Sequence, residues 1–98
     1  MVARVSTYEG SAERLDDLAR GFEESADAVR ELEGFRGAYL LVDRETGRAI
    51  TVALWASGEA AEASAGRAQH LREEAASTAE HSITGVELFE VPVQIPAS

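Results

Sequence analysis

The sequence predicts an α+β fold of order β-α-β-β-α-β, with a four-stranded antiparallel sheet and two helices on one of its faces. Three observations carry that expectation. One segment holds apolar residues at three- and four-residue spacing, a second is an Ala-rich run behind a capping serine, and β-branched and aromatic segments flank them. The two central extended segments are joined by a short turn that ends in glycine. Finally, 98 residues with 45% hydrophobic side chains suffice for one core, so residues 1–98 read as a single domain.

Val2 to Tyr8 (VARVSTY) alternates and is the first strand, and Gly10 breaks it. Ser11 is the expected N-cap of the first helix, and Glu13 lies where the helix dipole favours negative charge. Leu15, Leu18, Phe22, Ala26 and Val29 then form one apolar stripe, while Asp16, Asp17, Arg20, Glu24, Asp27 and Arg30 fall off it. Gly34 is the expected stop. Gly37 to Asp43 is the second strand, Arg44 to Gly47 a turn, and Arg48 to Trp55 the third strand. Ser57 caps a second helix that runs through Ala60, Ala63, Gly66, Leu71 and Ala75 to about Ala79. Thr84 to Val91 is the fourth strand, and the tail Pro92 to Pro96 cannot continue a central strand. This order is the ferredoxin-like split arrangement, whose right-handed crossovers place both helices on one sheet face.

Two helices leave the other face of the sheet uncovered. A wet face should show polar residues at alternate positions. The central strands do not: Tyr39–Val42 is wholly apolar, and Ala49–Trp55 has Thr51 as its one polar member. A homodimer joined through the sheet faces is therefore expected, because such a patch exceeds what a monomer normally exposes. Pairing Asp43 with Arg48 would put Tyr39, Leu41, Ile50, Val52 and Leu54 on one face. Arg36, Ala38, Leu40, Thr51, Ala53 and Trp55 would take the other, a surface suited to an Ala-rich helix or a ligand cavity.

Composition excludes several chemistries. There is no cysteine, hence no disulfide, thiolate nucleophile or Cys-based metal site. There is no lysine, hence no Schiff-base lysine. A net charge of −9 disfavours nucleic acid and anionic membranes as partners. No apolar run approaches membrane-spanning length, and the N-terminus lacks the pattern of a secretory signal. The absence of cysteine makes a cytoplasmic location the simple expectation. No phosphate loop, dinucleotide fingerprint, nucleophile elbow or metal-binding tetrad is present.

The candidates for chemistry are few. Trp55, the one tryptophan, ends the third strand and could wall a pocket for a flat ligand. His70 is the best candidate base, with Glu74 one turn on. Arg36 and Arg4 could each stabilise an anion, and Tyr8 and Tyr39 could donate hydroxyl protons. His81 reads as a helix-end or surface residue.

Gly34-Phe-Arg-Gly-Ala-Tyr-Leu-Leu-Val-Asp-Arg-Glu-Thr-Gly47, with Leu54-Trp-Ala-Ser-Gly-Glu-Ala-Ala-Glu-Ala63, resembles the antibiotic biosynthesis monooxygenase-like family of the dimeric α+β barrel superfamily. The resemblance runs from the first strand to the fourth and implies a homodimer with sheets face to face. For the polyketide-oxidising members it also implies oxidation by O₂ with no cofactor, the electron-rich substrate supplying the electrons. Trp55 matches that family's third-strand Trp. Thr51 and Ala61 stand where those members carry Asn and Tyr. The haem-degrading branch has an Asn on the first strand and a Trp in the second helix; neither is present here, so haem degradation is not expected. The expected site is thus His70 and Arg36 for catalysis and Trp55, Thr51 and Tyr39 for binding a small aromatic or polyketide-type metabolite. The alternative is a non-catalytic, homodimeric ligand-binding or stress-related module.

Overall fold

The central hairpin fixes the rest of the architecture. In the computed structural model, which describes residues 1–97, β2 (Phe35–Val42) and β3 (Ala49–Trp55) pair with Tyr39 opposite Val52 and Leu41 opposite Ile50. The Asp43 N–H donates to the Arg48 carbonyl at 2.9 Å, which closes the turn at the expected residues. The Asp43 carboxylate accepts from the Glu45 and Thr46 amides at 3.0 and 3.4 Å, and those bonds hold it below the usual carboxylate range.

β1 (Val2–Glu9) and β4 (Ser82–Glu90) complete a sheet of order β2-β3-β1-β4, with every neighbouring pair antiparallel. The helices pack on the face that carries Tyr8, Ala49 and Ile83. Here α1 (Leu15–Arg30) buries Leu15 and Leu18 completely, and Phe22 lies edge-on to Tyr8 with ring centroids 5.8 Å apart. Ser11 caps a 3-10 turn (Ala12–Arg14) that feeds α1, rather than capping the α-helix itself.

The second helical segment is not continuous. It divides into α2 (Gly58–Ala63) and α3 (Ala65–Thr78) at Ser64, whose hydroxyl donates to the carbonyls of Ala60 and Ala61. A serine that bonds back to the preceding turn competes with helix propagation, which accounts for the break. The Ser57 cap forms as expected, accepting from the Ala60 amide at 3.1 Å. Ala residues let α3 approach α1 closely: a Cβ on Gly21 would lie 3.2 Å from that of Ala75.

Gly66 is different, since a Cβ there meets nothing within 4 Å. Gly66→Ala should therefore act through helix propensity alone, stabilising by about 0.5 kcal/mol and raising the thermal midpoint by roughly 2–4 °C. A calorimetric scan that shows no rise would place a contact at Gly66 that the fold does not contain.

Among the described residues, no helix packs on the outer face of the sheet. Tyr39, Leu41 and Phe89 are exposed there. Val93 and Ile95 in the tail are also exposed. Among the described residues, no helix is long and apolar enough to cross a membrane.

Candidate functional site

The helix face of the sheet holds a cavity of about 660 Å³ between α1 and the β2–β3 hairpin. Its walls include Phe22, Ala26 and Val29 from α1 and Phe35, Leu40 and Thr51 from the hairpin. The lower half of the α1 stripe fills the core, and the upper half faces this space. Both follow from one sequence pattern, in which large Leu15 and Leu18 give way to small Ala26.

Thr51 brings the polar point of the cavity. Its hydroxyl is 3.0 Å from that of Tyr8, which is fully buried beneath it. Burial pushes the Tyr8 phenol above its ordinary value, and the hydrogen bond to Thr51 pulls the other way. Tyr8 is thus a neutral hydroxyl that orients Thr51. Arg30 and Arg44 also contribute to the wall, and Arg44 is tied to Asp16 at 3.0 Å.

The residues expected from sequence do not all converge. Thr51 and Tyr39 belong to the cavity wall, although Tyr39 occupies an outer-face position in the register and is 66% exposed. Trp55 is 1% exposed and lies behind the wall, its ring T-stacked on Phe35 at 5.5 Å. Arg36 sits outside the cavity. The β2–β3 register shifts between Phe35 and Gly37, so Phe35 rather than Arg36 lies opposite Trp55, and Arg36 is exposed. His70 is on the solvent side of α3, 3.5 Å from Glu74. Among the described residues no three His, Asp or Glu side chains gather as a metal site.

His81 is not the surface residue its position suggested. It is buried, with Nδ1 2.9 Å from the Ala79 carbonyl and Nε2 3.1 Å from the Gly47 carbonyl. It pins the start of β4 to the β2–β3 turn. No periodicity signals the contact to the turn, because the Gly47 carbonyl is a backbone group distant in sequence.

This fold and cavity define a class. The sequence matches the antibiotic biosynthesis monooxygenase family over residues 1–72, and the chain belongs to that family. Solved structures agree on the fold. SnoaB, a cofactor-independent oxygenase from Streptomyces nogalater, superposes with a TM-score of 0.70 at 19% identity, covering 98% of this chain and 97% of SnoaB. The ActVA-Orf6 monooxygenase of Streptomyces coelicolor, in complex with nanaomycin D, gives 0.72 at 21% identity over 99% and 92%. MhuD, a haem degrader from Mycobacterium tuberculosis with two haems in its active site, gives 0.70 at 29% identity over 98% and 100%. No curated protein gives a match.

Proposed function

We propose that this chain is a homodimeric, cofactor-independent monooxygenase acting on a small aromatic or polyketide-type metabolite bound between α1 and the β2–β3 hairpin. The observation that carries the reading is the cavity itself: its walls are largely aromatic and aliphatic, with Arg30 and Arg44 among them, and they include the Thr51 hydroxyl, which pairs with that of the buried Tyr8. In such a reaction an activated ring CH₂ and O₂ become a carbonyl and water, and all the electrons come from the substrate. The protein then has to hold the ring, orient its oxygen substituent and exclude water. Thr51 supplies the hydrogen bond, and Phe22, Phe35 and Leu40 supply apolar walls.

One observation favours a second reading, a non-catalytic binding module. Among the described residues lining the cavity, Glu23 is the one carboxylate and there is no histidine. Glu23 is exposed on α1, so no buried general base adjoins Thr51. His70 could serve only if a ligand extended out to α3.

A panel of anthrones and naphthoquinols, with haem included on account of the Mycobacterium protein, separates the two. Trp55 fluorescence and dissolved oxygen are followed together. The oxygenase reading expects saturable quenching with oxygen uptake. Ala26→Phe, which fills the cavity, should abolish both signals. Thr51→Val should weaken binding by about five- to tenfold through one lost hydrogen bond. Quenching without oxygen uptake would leave the binding module.

A further inference from the structure

A second cavity, of about 410 Å³, opens on the opposite side of the sheet's helix face, between α3 and the β1–β4 pair. Arg4, Gln69, Arg72 and Glu73 line it together with Ala65, Ile83 and Val86. Arg4 is the notable member, since it is 8% exposed at the centre of β1. One guanidinium nitrogen, Nη2, donates to the Ala61 carbonyl at 2.6 Å. The other, Nη1, is buried with no hydrogen-bond acceptor, and so is Nε of Arg72.

Unmet donors on a buried guanidinium are costly, and arginine cannot shed its proton to escape the cost. Burial, reinforced by the nearby positive charge of Arg72, holds the Arg4 guanidinium below its ordinary value. Two like charges are thus held beside one cavity in a chain with twice as many acidic as basic residues. Carboxylates are plentiful, yet among the described residues neither Arg4 nor Arg72 forms an ion pair. The carboxylate that lines the cavity, Glu73, instead accepts from Gln69 at 2.9 Å. The rest of the wall is aliphatic.

We propose that Arg4 and Arg72 form a binding site for the carboxylate of a small aromatic or aliphatic acid, whose apolar body rests against Ala65, Ile83 and Val86. A carboxylate supplies the two planar acceptors that a pair of guanidiniums lacks. The site does not rest on the reading of the α1–β2 cavity. It requires neither oxygen nor turnover.

Trp55 gives the site a built-in reporter, because Cζ of Arg4 lies 5.5 Å from the centre of its ring. Phenylacetate and its neutral isostere phenylacetamide are titrated while Trp55 emission and the ¹H–¹⁵N resonances of the arginine Nε groups are recorded. Phenylacetate should produce a saturable change in both, with Arg72 Nε shifting most. Phenylacetamide should bind at least about tenfold more weakly, having lost the charge-assisted bonds. Arg72→Gln, on a partly exposed helix position, should keep the fold and weaken phenylacetate by a similar factor. Arg4→Lys keeps the charge but loses the fork, and should weaken it too. Arg4 also holds the Ala61 carbonyl, so circular dichroism checks that this variant folds; if it does not, Arg72→Gln decides alone. Equal binding of acid and amide, no effect of Arg72→Gln, or no saturable response to phenylacetate on the order of 10 mM would overturn the site. Sulfate binding more tightly than phenylacetate would overturn its assignment to carboxylates.

Discussion

Gly47→Ala should destabilise the fold by about 3 kcal/mol or more, well beyond the roughly 1 kcal/mol typical of a surface glycine at positive φ. Gly47 has φ of +83°, so a side chain there is strained before any contact is counted. It is also buried, and a Cβ would overlap the Gly10 carbonyl oxygen and stand 2.8 Å from the Ala12 amide. Both are backbone atoms and cannot rotate away. The Gly47 amide bonds to the Asp43 carbonyl at 2.9 Å, and its own carbonyl faces His81. Relief of the clash would therefore open the turn and the His81 contact together. Gly37→Ala is the control, because φ there is +135° and a Cβ meets nothing within 4 Å. Urea unfolding followed by Trp55 emission compares the two. If Gly47→Ala unfolds no earlier than Gly37→Ala, the packing of this turn is not what holds the two ends of the sheet together.

Gly47 also marks the limit of sequence reading here. Its place in a turn is legible, because glycine between two β-rich runs has a mechanism. What it packs against is not, since Gly10 and His81 lie far away in the chain, the first meeting it through a backbone carbonyl and the second through a ring nitrogen. The same contrast runs through the hairpin. Period-two alternation assigned Tyr39, Leu41, Ile50, Val52 and Leu54 to one face, and the register agrees. Alternation could not foresee the shift at Arg36, because one added residue in a strand leaves no trace in a hydrophobic pattern. Arg36 went to solvent for that reason, and Phe35 took its place against Trp55.

The helices show where composition runs out. Apolar spacing located α1, and a capping serine with an Ala-rich run located the segment after β3, but Ser64 interrupts the latter through a side-chain hydrogen bond that composition does not encode. The chemistry was less legible still. Titratable residues near neutral pH drew attention to His70, yet exposure on α3 depends on which side of the helix faces the sheet. Arg4 was a stronger signal. An arginine at the centre of an alternating strand must point to one face or the other, and the burial of β1 places it under the helices.

Val52→Asp should convert the proposed dimer to monomer while leaving the Arg4 cavity intact. Val52 lies mid-sheet, between Val5 of β1 and Tyr39 of β2, on the face that no helix covers. A carboxylate there, pressed against a partner's apolar sheet, would be desolvated with no cation beside it. Even a cost of about 4 kcal/mol is roughly a thousandfold in dissociation constant. Sedimentation velocity at micromolar concentration reads the result directly. A wild-type chain that sediments at 10.5 kDa would sink the dimer, and the outer face would then need another partner. The same variant tests how assembly relates to binding. The Arg4 cavity lies on the helix face, on the far side of the sheet from the Val52 side chain, and one chain supplies the walls described for it. Distant sites without shared partners act additively, so phenylacetate should bind the monomer within about twofold of the wild type. A larger loss would mean that the partner's sheet sets the strand geometry on which Arg4 depends, and that the dimer is part of the site.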